Sequence, residues 1–165
     1  MVIPESFTEV NQGFFPDNVR GQITSVVIPN SVTKIGDNAF NGWSNLTSIV
    51  IPNSVDSIGY RAFQNCGALT SIEIPNSVKN IASFAFQNCD KLTSVTLGES
   101  IKTIGDNAFE SCDNLQSIVI PNSVDSIGYR AFAWCSELNY ITLDNNLKYI
   151  GVAAFEACDK LQTVN

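Results

Sequence analysis

Residues 46–68 read LTSIVIPNSVDSIGYRAFQNCGA, and this 23-residue pattern returns without insertion from Ile23 to the end of the chain. Leu46, Leu69, Leu92, Leu115, Leu138 and Leu161 open successive units, Ile23 opens the first, and Cys66, Cys89, Cys112, Cys135 and Cys158 mark one point in five of them. A fixed period of this length means a stack of alike coils. In the quoted unit the apolar residues are Leu46, Ile49, Ile51, Val55, Ile58, Ala62, Phe63 and Cys66, at unit positions 1, 4, 6, 10, 13, 17, 18 and 21. Ile49, Val50 and Ile51 alternate inward and outward, the period-2 signal of a short strand, and stacking sets such strands side by side in a parallel sheet.

Pro29, Pro52, Pro75 and Pro121 carry no N–H for a ladder and close the strand; the Asn-Ser after each makes a turn. Ile at position 13 followed by Gly marks a second, shorter extended piece and a bend. Asp37 and Asp106, one residue beyond that Gly, are expected to cap a helical turn that carries Ala and Phe inward. Phe40, Phe63, Phe86, Phe109, Phe132 and Phe155 are then expected to form a ladder through the core. Each buried ring contributes roughly 1.5–3 kcal/mol before chain entropy is counted.

A single coil cannot bury its own apolar side, so the ends need lids. Ile3-Pro4-Glu5-Ser6-Phe7 and Val10 to Phe15 echo Ile28-Pro29-Asn30-Ser31-Val32 and Ile35 to Phe40, with two extra residues near Pro16-Asp17-Asn18. Residues 1–22 therefore read as a degenerate N-terminal capping repeat, and 23–165 as six full repeats plus the start of a seventh. No matching C-terminal lid is visible; Asn165 falls inside a strand-like stretch, and an open or truncated C-terminal end is expected there. A last coil with Leu161 and Val164 would present an unpaired strand edge, a route to a homodimer. A longer period overlies the short one. Ser48 to Phe63 and Ser117 to Phe132 are identical over 16 residues and lie 69 apart, the mark of a three-unit block duplication or of consensus engineering.

Bulk composition narrows the function. Hydrophobic residues at 44% and charged residues at 15% describe a globular chain. A net charge of −7 speaks against nucleic acid and anionic membrane as partners, and no run of 18 apolar residues spans a bilayer. The segment MVIPESFTEV has neither the basic nor the apolar region of a signal peptide.

The unit LTSIVIPNSVDSIGYRAFQNC, with LxxIxIP, V, I, AF and C in order, resembles the BspA-like (Treponema-type) class of leucine-rich repeats over residues 23–165. Gly98 and Asp144 stand for the Pro, Ala82 for the Gly and Trp43 for the Cys, changes expected to affect local turns alone. The resemblance implies an α/β right-handed solenoid, with a parallel sheet of about seven short strands on the concave face and short helical turns on the convex side. It also implies a cell-surface or secreted protein engaged in adhesion, binding a protein ligand such as host matrix, and it brings no shared binding motif.

The residues themselves offer little chemistry. Five Cys is an odd count for a disulfide ladder, and no CxxC or His completes a zinc site, so each thiol reads as a small buried hydrophobe beside Phe; Trp43 in the same place fills space without ligating. Without His the chain lacks Ser–His and Cys–His pairs and the commonest general base, so no catalytic residue, metal or cofactor is assigned. The outer sheet face is the natural binding surface: Thr or another polar residue at position 2, mostly Ser at position 3, and Val27, Val50, Glu73, Thr96, Val119 and Thr142 at position 5. A Thr row can suggest ice binding, but position 5 lacks regular Thr.

Departures from the repeat point better to a site, because stacking does not demand them. Tyr140 on the sheet face, Trp134 at position 20, Phe84 at position 16 and Glu73 at position 5 are the candidates; exposed aromatics are favoured anchors. The expected function is a non-catalytic interaction or adhesion module binding through the sheet face. The alternative is a spacer or engineered scaffold without a ligand.

Overall fold

Each coil supplies two extended pieces, and stacking joins them into two kinds of parallel ladder, giving a solenoid of about six turns. The computed structural model describes residues 1–164, and Asn165 lies outside the described residues. The three-residue strands are β2 (Ser25–Val27), β4 (Ser48–Val50), β6 (Ser71–Glu73), β8 (Ser94–Thr96), β10 (Ser117–Val119) and β12 (Tyr140–Thr142), ending with the two-residue β14 (Thr163–Val164). Two-residue strands β1 (Glu9–Val10), β3 (Lys34–Ile35), β5 (Ser57–Ile58), β7 (Asn80–Ile81), β9 (Thr103–Ile104), β11 (Ser126–Ile127) and β13 (Tyr149–Ile150) form a second sheet, continuous over seven strands. Coils 1 to 6 are residues 23–45, 46–68, 69–91, 92–114, 115–137 and 138–160.

The core follows the repeat. In β2 to β10 the middle residue is buried and its neighbours are exposed. Phe63, Phe86, Phe109 and Phe132 are fully buried and stack with centroids 5.1–5.3 Å apart and planes within 4°. Phe40 joins the row at 5.2 Å and Phe155 at 5.6 Å. Toward the N-terminus, Phe15 and Trp43 pack edge-on at 4.9 Å, and Ile3 and Val10 are fully buried. Residues 1–22 thus cover that end of the core, tied on by the Val2–Val27 bridge and the β1–β3 pair. They also hold α1 (Asp17–Arg20), the one α-helix among the described residues.

The expected helical turns are not formed. From Asn38 to Trp43, alternate N–H groups bond back within the coil and forward to the next. Asn38, Phe40 and Gly42 donate to the carbonyls of Tyr60, Ala62 and Gln64 at 2.7–2.8 Å, while Ala39, Asn41 and Trp43 donate to Gly36, Asn38 and Phe40. This alternation needs a left-handed residue at positions 16 and 20 of every coil. Asn38, Arg61, Phe84, Asn107, Arg130 and Ala153 have φ of 50° to 61°, and Asn65, Asn88, Ser111, Trp134 and Ala157 follow at 55° to 63°. A left-handed residue directly after Asp37 or Asp106 breaks any helix these side chains could cap. Their Oδ1 atoms instead accept from the Tyr60 and Tyr129 N–H groups of the following coil, at 2.8 and 2.7 Å.

The cysteines do more than fill space. Each Sγ–H donates to the carbonyl of the Phe in the preceding coil, from Cys66 to Phe40 through Cys158 to Phe132, at 3.1–3.3 Å. Burial pushes the Cys66 thiol up to about 12 and that of half-buried Cys158 to about 11, so the neutral donor form persists well above pH 8. With Ellman's reagent at pH 8, Cys158 is expected to react first. Cys66, Cys89, Cys112 and Cys135 should stay silent until urea unfolds the chain. Uniform labelling of all five in native buffer would contradict the buried ladder.

The interface between coils 2 and 3 has several long backbone bonds. At position 14 the coils approach so closely that a Cβ built on Gly105 falls 2.6 Å from the Ser83 nitrogen and 2.8 Å from the Ala82 carbonyl carbon. Coil 3 nevertheless carries Ala82 there. Its N–H reaches the Ile58 carbonyl at 3.2 Å, against 2.8–2.9 Å for the Gly at the same position in the other coils. Nearby bonds between coils 2 and 3 are long as well, at 3.3 Å from Lys79 to Asp56 and 3.4 Å from Thr70 to Thr47. The long-strand sheet divides at the same level: β2 pairs with β4 and, through Val27, bridges to Val2, and a separate five-stranded run begins at β6.

Candidate binding surface

A recess of about 920 Å³ lies at the division between β4 and β6. Its floor and walls come from three coils, among them Ile28, Val50, Pro52, Asn53, Glu73 and Pro75. The Asn-Ser turns form one rim. Smaller recesses continue it on both sides: one past Val27 to Val2 and Glu5, another past Glu73 to Glu99. The alternation that buries Ile49 and Ile51 turns Val50 outward, and Val50 is 74% and Val27 54% exposed. The Val2–Val27 bridge and the β2–β4 register set Val2, Val27 and Val50 in one row on consecutive coils, with Glu73 next along the repeat. Three carboxylates and no Lys or Arg line these recesses, so the strip is apolar with negative charge at its edges.

The four residues singled out from the sequence do not converge. Glu73 lines the recess. Tyr140 is on the same face in β12, 37% exposed and in register with Ser117 and Thr163, but three coils away from Glu73. Phe84 and Trp134 sit at the left-handed positions of the turn side. Trp134 is 51% exposed, and its backbone N–H bonds the Glu156 carbonyl. Phe84 is half-buried, edge-on to Tyr60 at 5.6 Å and near the Arg61 guanidinium. Thr47 and Thr93 at position 2 spend their hydroxyls on the carbonyls of Thr24 and Thr70, which leaves no free Thr array for ice. Sequence reasoning did not single out Val27, Val50 or Arg61. The first two were readable as outward residues in a strand, and Arg61 was hidden because its 16-residue segment recurs unchanged at Arg130.

The family model for the BspA-type leucine-rich repeat region matches residues 8–99 and 56–165, with six copies in all. The chain belongs to this family. A leucine-rich cell surface protein from Faecalibacterium prausnitzii superposes with a TM-score of 0.78 at 34% identity, over 99% of this chain and 46% of that one. The leucine-rich repeat protein of T. pallidum gives 0.71 at 29% identity, over 86% of this chain and 79% of its own. One from Bacteroides ovatus gives 0.60 at 28%, over 98% and 53%. This BspA-type chain spans just under half the length of the Faecalibacterium protein it matches. A comparison with curated protein sequences returns no match. No helix among the described residues is long and apolar enough to cross a membrane.

Proposed function

We propose that this BspA-type chain is a non-catalytic protein-interaction module of a cell-surface or secreted protein, binding a protein ligand through the long-strand sheet face. The observation that carries the reading is the recess at the β4–β6 division, where exposed Val27 and Val50 adjoin Glu73. Exposed β-branched side chains beside a carboxylate suit an extended segment with aliphatic residues and a nearby Lys or Arg. The family and the cell-surface relative support the interaction role and the location.

Surface plasmon resonance against extracellular matrix proteins tests the reading with wild type, Val50→Lys, Glu73→Lys and Tyr140→Ser. Adding charge to the apolar row, or reversing it at Glu73, is expected to cut affinity about tenfold or more. Tyr140→Ser tests whether contact extends three coils along the face. Binding that survives both Val50→Lys and Glu73→Lys would remove the recess as the site. Failure of wild type to bind any of these proteins would favour the spacer reading.

A further inference from the structure

The 69-residue duplication places two identical Tyr-Arg-Ala-Phe segments in different surroundings, so each serves as a reference for the other. In the second copy the Arg130 guanidinium lies 5.3 Å from the Tyr129 ring centroid, and its Nη2 meets the Glu156 carboxylate at 2.9 Å. In the first copy the residue 69 positions before Glu156 is Gln87, and the residue 69 before Ala153 is Phe84. Gln87 cannot serve Arg61, because both ends of its amide are engaged: it accepts from Gln64 and donates to Glu110 in a side-chain ladder between coils. The Phe84 ring stands beside Arg61 instead. The guanidinium carbon of Arg61 lies 4.8 Å from the Tyr60 centroid and 5.3 Å from that of Phe84. No side-chain hydrogen bond or ion pair reaches the Arg61 guanidinium among the described residues; its Nε is buried without an acceptor, as is that of Arg130, so the copies differ at the outer nitrogens, where Arg130 alone has a carboxylate.

We propose that Arg61, held by the Tyr60 and Phe84 rings, is a docking point for a carboxylate on an acidic side chain of a partner protein. Two rings fix the side chain, so little rotamer freedom is left to lose on binding. The planar donor fork matches a carboxylate in two directions at once. The other copy shows the preferred occupant, since an identical Arg with the same Tyr neighbour takes a Glu there. The site stands apart from the sheet-face recess: it follows the second extended piece of coil 2, and it requires an acidic contact where the recess requires a basic one.

The chain has only three arginines, so side-chain Nε–H signals can be assigned by substitution and followed by NMR. The probe is a short Glu-containing peptide, titrated at constant ionic strength. The Arg61 signal is expected to shift and saturate, while that of Arg130, whose outer nitrogen Nη2 already holds the Glu156 carboxylate, stays in place. The double variant Gln87→Glu, Glu110→Gln gives Arg61 an internal carboxylate and should abolish the shift; the backbone spectrum reports that the fold is kept. Phe84→Ala, which copies Ala153, should weaken it. Equal shifts at Arg61 and Arg130, no shift at Arg61, or an unchanged response in the double variant would overturn the proposal. A sodium sulfate titration that moves Arg61 as far as the peptide would overturn the carboxylate assignment.

Discussion

Replacing Phe86 by Ala is expected to remove about 3–5 kcal/mol, the usual cost of deleting a buried aromatic ring. Phe86 is fully buried and stacks at 5.1 Å on both Phe63 and Phe109, so no neighbour can swing into the space without unstacking from its own partner. Against a typical domain stability of about 5–15 kcal/mol that is a large share. The location adds a second effect. Each coil touches only its neighbours, so a hole in coil 3 weakens the coupling between the two halves of the stack. Urea unfolding followed by circular dichroism should show a lower midpoint and a broader or two-step transition. Phe155→Ala is the control. That ring is half-buried and stacks on one side, against Phe132 at 5.6 Å, so its loss should cost only about 1–2 kcal/mol and leave the transition sharp. Equal losses at the two positions would mean that the ladder does not couple the coils.

The second large effect concerns coil spacing. Gly128→Ala is expected to cost about 1–3 kcal/mol, the range for overpacking a close approach. A Cβ there falls 2.6 Å from the Asp106 nitrogen and 2.7 Å from the Gly105 carbonyl carbon, and backbone has no rotamer with which to yield. Coil 3, which carries Ala82 at this position, has the longer inter-coil bond, 3.2 Å, and the long-strand ladder divides at the same level. The converse substitution, Ala82→Gly, relieves the contact but adds freedom to the unfolded chain, worth about 0.4–1 kcal/mol in the other direction. Its readout is therefore hydrogen exchange. The Thr70 and Lys79 amides, at 3.4 and 3.3 Å from their acceptors, should exchange more slowly once coils 2 and 3 close. A neutral Gly128→Ala, or unchanged exchange in Ala82→Gly, would detach the opening of the sheet from this methyl group.

The repeat made the coil register, the inward residues, the Phe ladder and the long-strand positions readable from sequence. Those features depend on which side chains are apolar, and periodicity records that directly. The turn side was misread as helical because Ala-Phe after Gly-Asp fits a capped turn. The opposing signal was present in Asn38, Asn107, Asn65, Asn88 and Gly42, residue types that accept a left-handed backbone. Arg61, Phe84, Arg130 and Trp134 at the same positions masked it. The same masking made Phe84 and Trp134 look like sites in their own right. Glu73 and Ala82 are both legible as departures from the repeat, but the recess around Glu73 depends on the distance between coils, which the identity of single residues does not record.

The hydrogen bonds between coils all run along the stack, so tension applied between its ends meets them one row at a time and not all together. A coil that lets go frees 23 residues, about 80 Å of extended chain at roughly 3.4 Å each, while the coils behind it stay closed. The molecule can therefore lengthen severalfold in discrete steps under load. The longer bonds between coils 2 and 3 mark where an interior step would begin.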